Sequence, residues 1–250
     1  VSVGGSAFER AESLQYVVIP DGVTSINFGT FKDCHSLKYV VLGDNIKTIY
    51  DNAFYFCYNL QYIIFPDKLT EIAEDVFINC SSLNKIYVGK NLAVVCKDAF
   101  ADTNNTEDIY YAGTQEQWEA INNYMRFPYD ATKHYSISIV DQGTCGDGLF
   151  WYLDSEGKLV IAGTGKMKFE STYAPWYNYR SLIKNVVIEN ASNVAPYAFY
   201  NHTALETIEI SKSVTEIGKY AFYSANKLTD VFYTGSETKY KSVSIGTNNA

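Results

Sequence analysis

The sequence predicts a solenoid: a stack of parallel β-strands, one per 23-residue turn, mainly β with short helical or 3-10 returns. Three observations predict it. Phe8, Phe31, Phe54, Phe77 and Phe100 stand at a constant spacing of 23 residues, and Phe199 and Phe222 repeat it. A fixed period of this size marks stacked supersecondary units. Nine and eleven residues after each Phe come apolar pairs: Val17/Ile19, Val40/Leu42, Ile63/Phe65, Ile86/Val88, Ile109/Tyr111, Ile208/Ile210 and Val231/Tyr233. That alternation is the signature of a short strand with one face buried. Finally, the remaining apolar positions recur at fixed offsets that no single unit can bury alone, whereas stacked units share one continuous core.

Each element of the unit has a reason. The residue before each Phe is small or β-branched (Ala7, Thr30, Ala53, Val76, Ala99, Ala198, Ala221), and three residues after it stand Ala11, Cys34, Cys57, Cys80, Thr103, His202 and Ala225. Six after it stand Leu14, Leu37, Leu60, Leu83, Leu205 and Leu228, with Thr106 as the exception. The strand follows, and Pro20, Gly43, Pro66 and Gly89 end its pairing and start the turn. Val23, Ile46, Leu69, Leu92 and Val214, then Ile26, Ile49, Ile72, Val95 and Ile217, lie on the return leg at spacings that suit turns and short helical pieces.

Written out, the unit is A-F-x-x-C-x-x-L-x-x-I-x-I-P-x-x-[VL]-x-x-I, as from Ala53 and Phe54 to Ile72. This pattern resembles the BspA-like leucine-rich repeat, the treponemal-type short repeat of bacterial cell-surface proteins. The Phe-anchored units that match cover well over half of the chain. One departure is that the family's Gly after the last Ile is present only as Gly218; Asn27, Tyr50, Ala73 and Cys96 fill that slot elsewhere. The resemblance implies a leucine-rich-repeat solenoid, a secreted or cell-surface location and adhesin-like roles.

The organisation expected is an array over 1–136, a small β module over 137–181 and a second array over 182–250. The first array begins mid-unit, with Val3 already in register and no signal peptide before it, so the chain is expected to be a piece of a longer protein. The segments 110–121 (YYAGTQEQWEAI) and 232–243 (FYTGSETKYKSV) align at an offset of 122 residues, so both arrays end alike. Thr114 and Gln117 have capping-box spacing, which predicts a cap helix from Gln115 to about Asn123, within about 114–123. Trp118, with Tyr240 in a truncated second cap, is expected to fold over the last rung, whose bare edge is otherwise a pairing hazard. In the β module, a strand is expected at Ile137 to Val140 and a loop through Gly143, Cys145, Gly146 and Gly148. A hairpin is expected of Phe150 to Leu153 and Lys158 to Ile161, turning at Asp154 to Gly157. Val186 and Ile188 then form the first strand of the second array, one residue out of register.

Composition bounds function. A formal net charge of −8 argues against nucleic-acid binding. No Lys/Arg cluster points to a membrane surface and no long apolar run spans one. Cys34, Cys57 and Cys80 share one slot and should stack on successive rungs. A zinc site fails on geometry, because sulfurs bound at about 2.3 Å stand at most about 4.6 Å apart. The outer two of three rungs are separated by about 10 Å. The three are expected to be buried thiols packed as small hydrophobes; Cys96 and Cys145 have no evident partner. His35, His134 and His202 belong to no catalytic or metal-binding spacing, and no nucleophile elbow, P-loop or calcium loop occurs. No cofactor and no enzymatic activity are expected. Asn79, Asn104, Asn190 and Asn201 each begin an N-x-S/T triplet.

Function is therefore sought on the outer face of the sheet. Eight and ten residues after each Phe come Tyr16/Val18, Tyr39/Val41, Tyr62/Ile64, Lys85/Tyr87 and Asp108/Tyr110. A water-facing sheet surface is ordinarily polar; this one carries tyrosines and aliphatics. Tyr16, Val18, Tyr39, Val41, Tyr62, Ile64, Tyr87 and Tyr110 form the candidate binding face. Three readings stand: an interaction surface, a tyrosine ladder that stabilises its own sheet, or a face covered by the β module or the other array. The interaction reading implies a protein partner, a host extracellular-matrix or cell-surface protein, or else a glycan. The competing functional reading is a spacer or scaffold that presents other domains.

Overall fold

A computed structural model of the chain describes residues 2–122 and 127–249. It is a β-solenoid with two compact units, Val1–Ser138 and Ile139–Ala250. In the first unit the strands Tyr16–Val18, Tyr39–Val41, Tyr62–Phe65, Lys85–Val88, Asp108–Tyr111 and Thr132–Tyr135 form one parallel sheet. The short strands Ser2–Val3, Ser25–Ile26, Thr48–Ile49, Glu71–Ile72 and Val94–Val95 form a second. Pairing is in register, Val17 beside Val40 and Ile63 beside Ile86, so every side chain meets its equivalent on the next rung.

The core is this repetition of like upon like. Phe8, Phe31, Phe54, Phe77 and Phe100 stack ring on ring at 5.3, 5.3, 5.3 and 5.0 Å between centroids. Phe127 continues the column on Phe100 at 4.9 Å, although its spacing breaks the period. The apolar positions on either side of the rings are buried from the second rung onward. Thr106, in a Leu slot, is buried without an orphaned hydroxyl: its Oγ1–H lies 2.9 Å from the Leu83 carbonyl and 3.1 Å from that of Thr103.

Two backbone rules explain the polar letters of the repeat. The residues two before and two after each Phe adopt left-handed conformations, from Ser6 and Arg10 through Asn52 and Phe56 to Tyr220 and Ser224. Asn, Asp and Gly tolerate this region and recur there (Gly29, Asp33, Asn52, Asp75, Asn79, Asp98, Asp102, Asn201). The family's Gly slot does not carry the left-handed turn at Asn27, Tyr50, Ala73 or Cys96, which is why those residues are accepted. The second rule is close approach at the strand exits. A Cβ on Gly43 would stand 2.7–2.8 Å from the backbone of Ile19, Pro20 and Asp21, and one on Gly89 equally close to Pro66 and Asp67. Gly43→Ala is expected to cost about 1–3 kcal/mol by forcing two rungs apart. Urea unfolding checks this, with Gly22→Ala, where the added Cβ meets nothing within 4 Å, as the neutral control.

The first unit closes with the helix Gln115–Asn122; the expected position 123 lies outside the described residues. The capping box forms: Thr114 N–H donates to Gln117 Oε1 at 2.9 Å, and Gln117 N–H to Thr114 Oγ1 at 3.3 Å. Trp118 packs on Tyr111 and Phe127.

In the second unit an antiparallel meander, Ile139–Gly146, Leu149–Asp154 and Lys158–Gly163, runs directly into the parallel strands Asn185–Ile188, Thr207–Ile210 and Asp230–Tyr233. The hairpin lies where expected, and Asp154 Oδ1 accepts the N–H groups of Glu156 and Lys158 at 3.0 and 2.9 Å to hold its turn. The expected loop through Gly143, Cys145 and Gly146 is instead strand, with two register shifts. Gly143 is there because the Trp151 indole packs over it, leaving 3.1 Å between a built Cβ and Nε1. Trp176, 23 residues before Phe199, continues the aromatic column: its indole stacks on Phe199 at 5.8 Å and donates Nε1–H to the Ala198 carbonyl at 2.9 Å. Phe199 stacks on Phe222 at 5.4 Å.

Candidate functional site

The repeat register places the sequence-derived face as two stacks. Tyr39 and Tyr62 pair at 6.1 Å, with the Lys85 ammonium 5.5 Å above the Tyr62 ring. Tyr87, Tyr110 and His134 stack at 4.4 and 4.5 Å. Exposure divides the set. Tyr16 and Val18 face solvent and Tyr110 is half-buried, but Tyr39, Val41, Tyr62, Ile64 and Tyr87 are buried. The expectation of a water-facing column thus fails at its middle rungs. Alternation tells which way a side chain points, not what lies over it; the ring stacks and the Lys85 ammonium supply part of the cover.

The cysteines are structural. Cys34, Cys57, Cys80 and Cys145 are buried, Cys96 is half-buried, and all are free thiols. The ladder does more than fill space: Cys34, Cys57 and Cys80 donate S–H to the carbonyls of Phe8, Phe31 and Phe54 at 3.0, 3.2 and 3.2 Å. Burial raises the Cys34, Cys57 and Cys80 thiols and pushes Cys145 up to about 12. For Cys96 burial is again the largest cause, joined by Glu71, Glu74 and Asp51. Protonated, enclosed sulfurs are poor nucleophiles. An aromatic disulfide reagent at neutral pH is therefore expected to titrate Cys96 alone, slowly, in the native protein and all five thiols in denaturant. Among the described residues no group of three or more His, Cys, Asp or Glu is arranged to hold a metal ion.

The histidines are likewise accounted for by packing. His35 lies against Tyr58 and near Asp33. His134 Nε2 stands 2.8 Å from Asp108 Oδ1. His202 fills the cysteine slot of the second unit, edge-on to Phe199 and Tyr177, with Nδ1 3.2 Å from the Tyr200 carbonyl.

The most distinctive surface lies elsewhere, beside the Phe column of the second unit. Tyr197 and Tyr220, two residues before Phe199 and Phe222, stack at 5.2 Å; Tyr200 and Tyr223, one residue after them, stack at 5.3 Å. The two columns interlock edge-to-ring at 5.6 Å on each rung. Tyr173 extends them, touching Tyr177, Tyr197 and Tyr200 at 4.2, 6.3 and 5.7 Å, and the Arg180 guanidinium covers Tyr177 at 4.5 Å. Tyr173 and Tyr223 are exposed and the others half-buried. Tyr197 and Tyr220 occupy the left-handed slot, at φ of 60° and 56°, where the first array has Ser, Gly, Asn or Asp. A bulky residue with no local polar bond to offer pays about 1–2 kcal/mol for that conformation. That conformation is accepted by a bulky residue twice at this slot, as it is at Phe56 two residues after Phe54 in the first array. The repeated offsets of these tyrosines were present in the sequence, but not among positions belonging to the sheet.

A family model for the BspA type leucine rich repeat region matches residues 1–125 and 173–246 with six copies. Among solved structures, the chain is similar to a T. pallidum leucine-rich repeat protein, with 18% identity over 100% of this chain and 80% of that one and a TM-score of 0.43. A leucine-rich cell surface protein from Faecalibacterium prausnitzii matches with 17% identity over 98% and 86% and a TM-score of 0.27. The pneumococcal vaccine antigen PcpA matches with 19% identity over 87% and 50% and a TM-score of 0.34. No curated protein sequence matches significantly. Among the described residues no helix is long and apolar enough to cross a membrane. The family model covers most of the chain, and the chain belongs to the BspA-type leucine-rich repeat family.

Proposed function

We propose that the chain is a non-enzymatic protein-binding module of a secreted or cell-surface bacterial protein, adhesin-like in that it holds a host matrix or cell-surface protein. The location accords with the description of the F. prausnitzii protein as a cell surface protein. The observation that carries the reading is the tyrosine patch of Tyr173, Tyr177, Tyr197, Tyr200, Tyr220 and Tyr223, with its two left-handed members. Tyr offers large, stiff contact area together with a hydroxyl, at little entropic cost. The sheet face of the first array enters through Tyr16 and Val18, the two candidate residues that face solvent.

The test is binding of the 250-residue chain to a panel of immobilised extracellular-matrix proteins, with a glycan array beside it. Wild type binds at least one matrix protein, and Tyr173→Ser with Tyr223→Ser weakens it about tenfold or more, as central aromatic anchors do. Binding that survives both changes, or binding confined to glycans, contradicts the proposal.

A further inference from the structure

The spacing of the tyrosine patch limits the shape of what it holds. Tyr173, Tyr200 and Tyr223 follow one another along the rungs at 5.7 and 5.3 Å between rings. Tyr173 and Tyr223, the two exposed members, therefore stand two rungs apart, about 10 Å, with the half-buried Tyr200 between them. An extended strand laid along this line repeats its same-side groups every ~6.7 Å, which fits neither one rung nor two. A polyproline II segment repeats every third residue, about 9.3 Å, close to two rungs. An α-helix also fits by length, because its pitch of about 5.4 Å is close to one rung.

The hydroxyls decide between these two. Elsewhere in the chain the hydroxyls of Tyr111, Tyr179 and Tyr233 are spent on the Lys90 carbonyl, the Asp141 carboxylate and the Lys212 carbonyl. Those of Tyr173, Tyr177, Tyr197, Tyr200, Tyr220 and Tyr223 make no hydrogen bond among the described residues, and the four on half-buried rings are open to water. Such a set of donors matches a ligand whose carbonyls are unpaired. A helix spends its carbonyls on itself, whereas polyproline II has no internal hydrogen bonds and its prolines carry no N–H. Charge adds a direction. The Arg180 guanidinium over Tyr177 donates Nη1–H to the Tyr177 carbonyl at 3.2 Å and forms no ion pair among the described residues. Its remaining donors suit a carboxylate.

We propose that the patch binds a proline-rich segment of a partner protein in the polyproline II conformation. Prolines three residues apart lie on Tyr173 and Tyr223, the segment's carbonyls accept from the tyrosine hydroxyls, and an acidic residue at one end meets Arg180. The site is the one on which the binding role above rests, and the occupant is what is added. A segment already stiff in solution loses little entropy on docking.

A fluorescein-labelled peptide of one Glu followed by nine Pro is titrated into the 250-residue chain and followed by anisotropy. A Glu-led Gly/Ser peptide of the same length and a helical Glu/Ala/Lys peptide serve as controls. Saturable binding is expected, at least about tenfold tighter than either control. Tyr173→Ser with Tyr223→Ser weakens it about tenfold. Tyr200→Phe, which keeps the ring stack and removes one hydroxyl, weakens it about two- to tenfold, and Arg180→Gln abolishes the preference for the Glu-led peptide over a Gln-led one. Binding no tighter than that of the Gly/Ser peptide, tighter binding of the helical peptide, or indifference to Tyr200→Phe overturns the proposal. The matrix-protein panel separates this failure from that of the binding role. A matrix protein held through the patch but not displaced by the proline peptide removes the polyproline II occupant and leaves the binding role standing. Proline-peptide binding without capture of any matrix protein upholds the occupant and removes the host-matrix role.

Discussion

Phe54→Ala is expected to destabilise the first array by about 3–5 kcal/mol, near the top of what one substitution does. Phe54 is fully buried and has a ring above and a ring below, both at 5.3 Å. Truncation leaves a cavity that crosses two rung interfaces, and neither neighbour can collapse into it while its own backbone is held by the rungs beyond. Phe8→Ala removes a ring that is 42% exposed and, among the described residues, stacks on Phe31 alone, and should cost less than half as much. Guanidinium unfolding of the two variants measures the difference. In a stack held by nearest-neighbour interfaces, the Phe54 variant should also unfold less cooperatively, with the rungs on either side uncoupled.

His202 makes the second unit acid-sensitive. Burial, the largest cause, pushes its pKa down to about 4; the nearby Arg180 adds to this, and the bonds with the Tyr200 and Phe199 backbone oppose it. Because a carbonyl only accepts, Nδ1 carries the proton that reaches Tyr200, and Nε2 is enclosed with no hydrogen-bond partner among the described residues. A second proton there would be a buried, unpaired charge. The unfolded imidazole titrates near 6.5. Between those values only the unfolded chain binds the proton, so stability is full above about pH 6.5, falls as the pH drops toward 4 and levels off below. The loss is about 3 kcal/mol. His202→Cys, which installs the residue of the equivalent slot in the first array, is expected to flatten this part of the stability-against-pH curve. A parallel curve for the variant would show that the imidazole is not the titrating group.

What could be read from the sequence was whatever recurs with the rung. The Phe column, the strand pairs and the capping box at Thr114 are local or periodic, and stacking turns each into a ladder whose position needs no further information. Trp176 and Phe127 were harder, because a different ring and a broken spacing fill the same column. The strand through Gly143 was hidden because glycine there answers to the Trp151 indole, a contact made across the sheet. The sheet face shows the limit most clearly: alternation aimed Tyr39 and Tyr62 away from the core, yet both are buried. The tyrosine patch was legible as repeated offsets, but its meaning came only with the backbone angles of Tyr197 and Tyr220.

Those two residues allow the most direct test of the binding role. Asn tolerates the left-handed slot, so in the Tyr197→Asn/Tyr220→Asn protein relief of backbone strain offsets the lost ring contacts. Melting temperature and binding to the matrix-protein panel are measured on the same samples. A folded protein is expected that melts within a few degrees of wild type and has lost its binding. A variant that is folded and binds as wild type does would contradict it, because the strained tyrosines would then serve the fold alone.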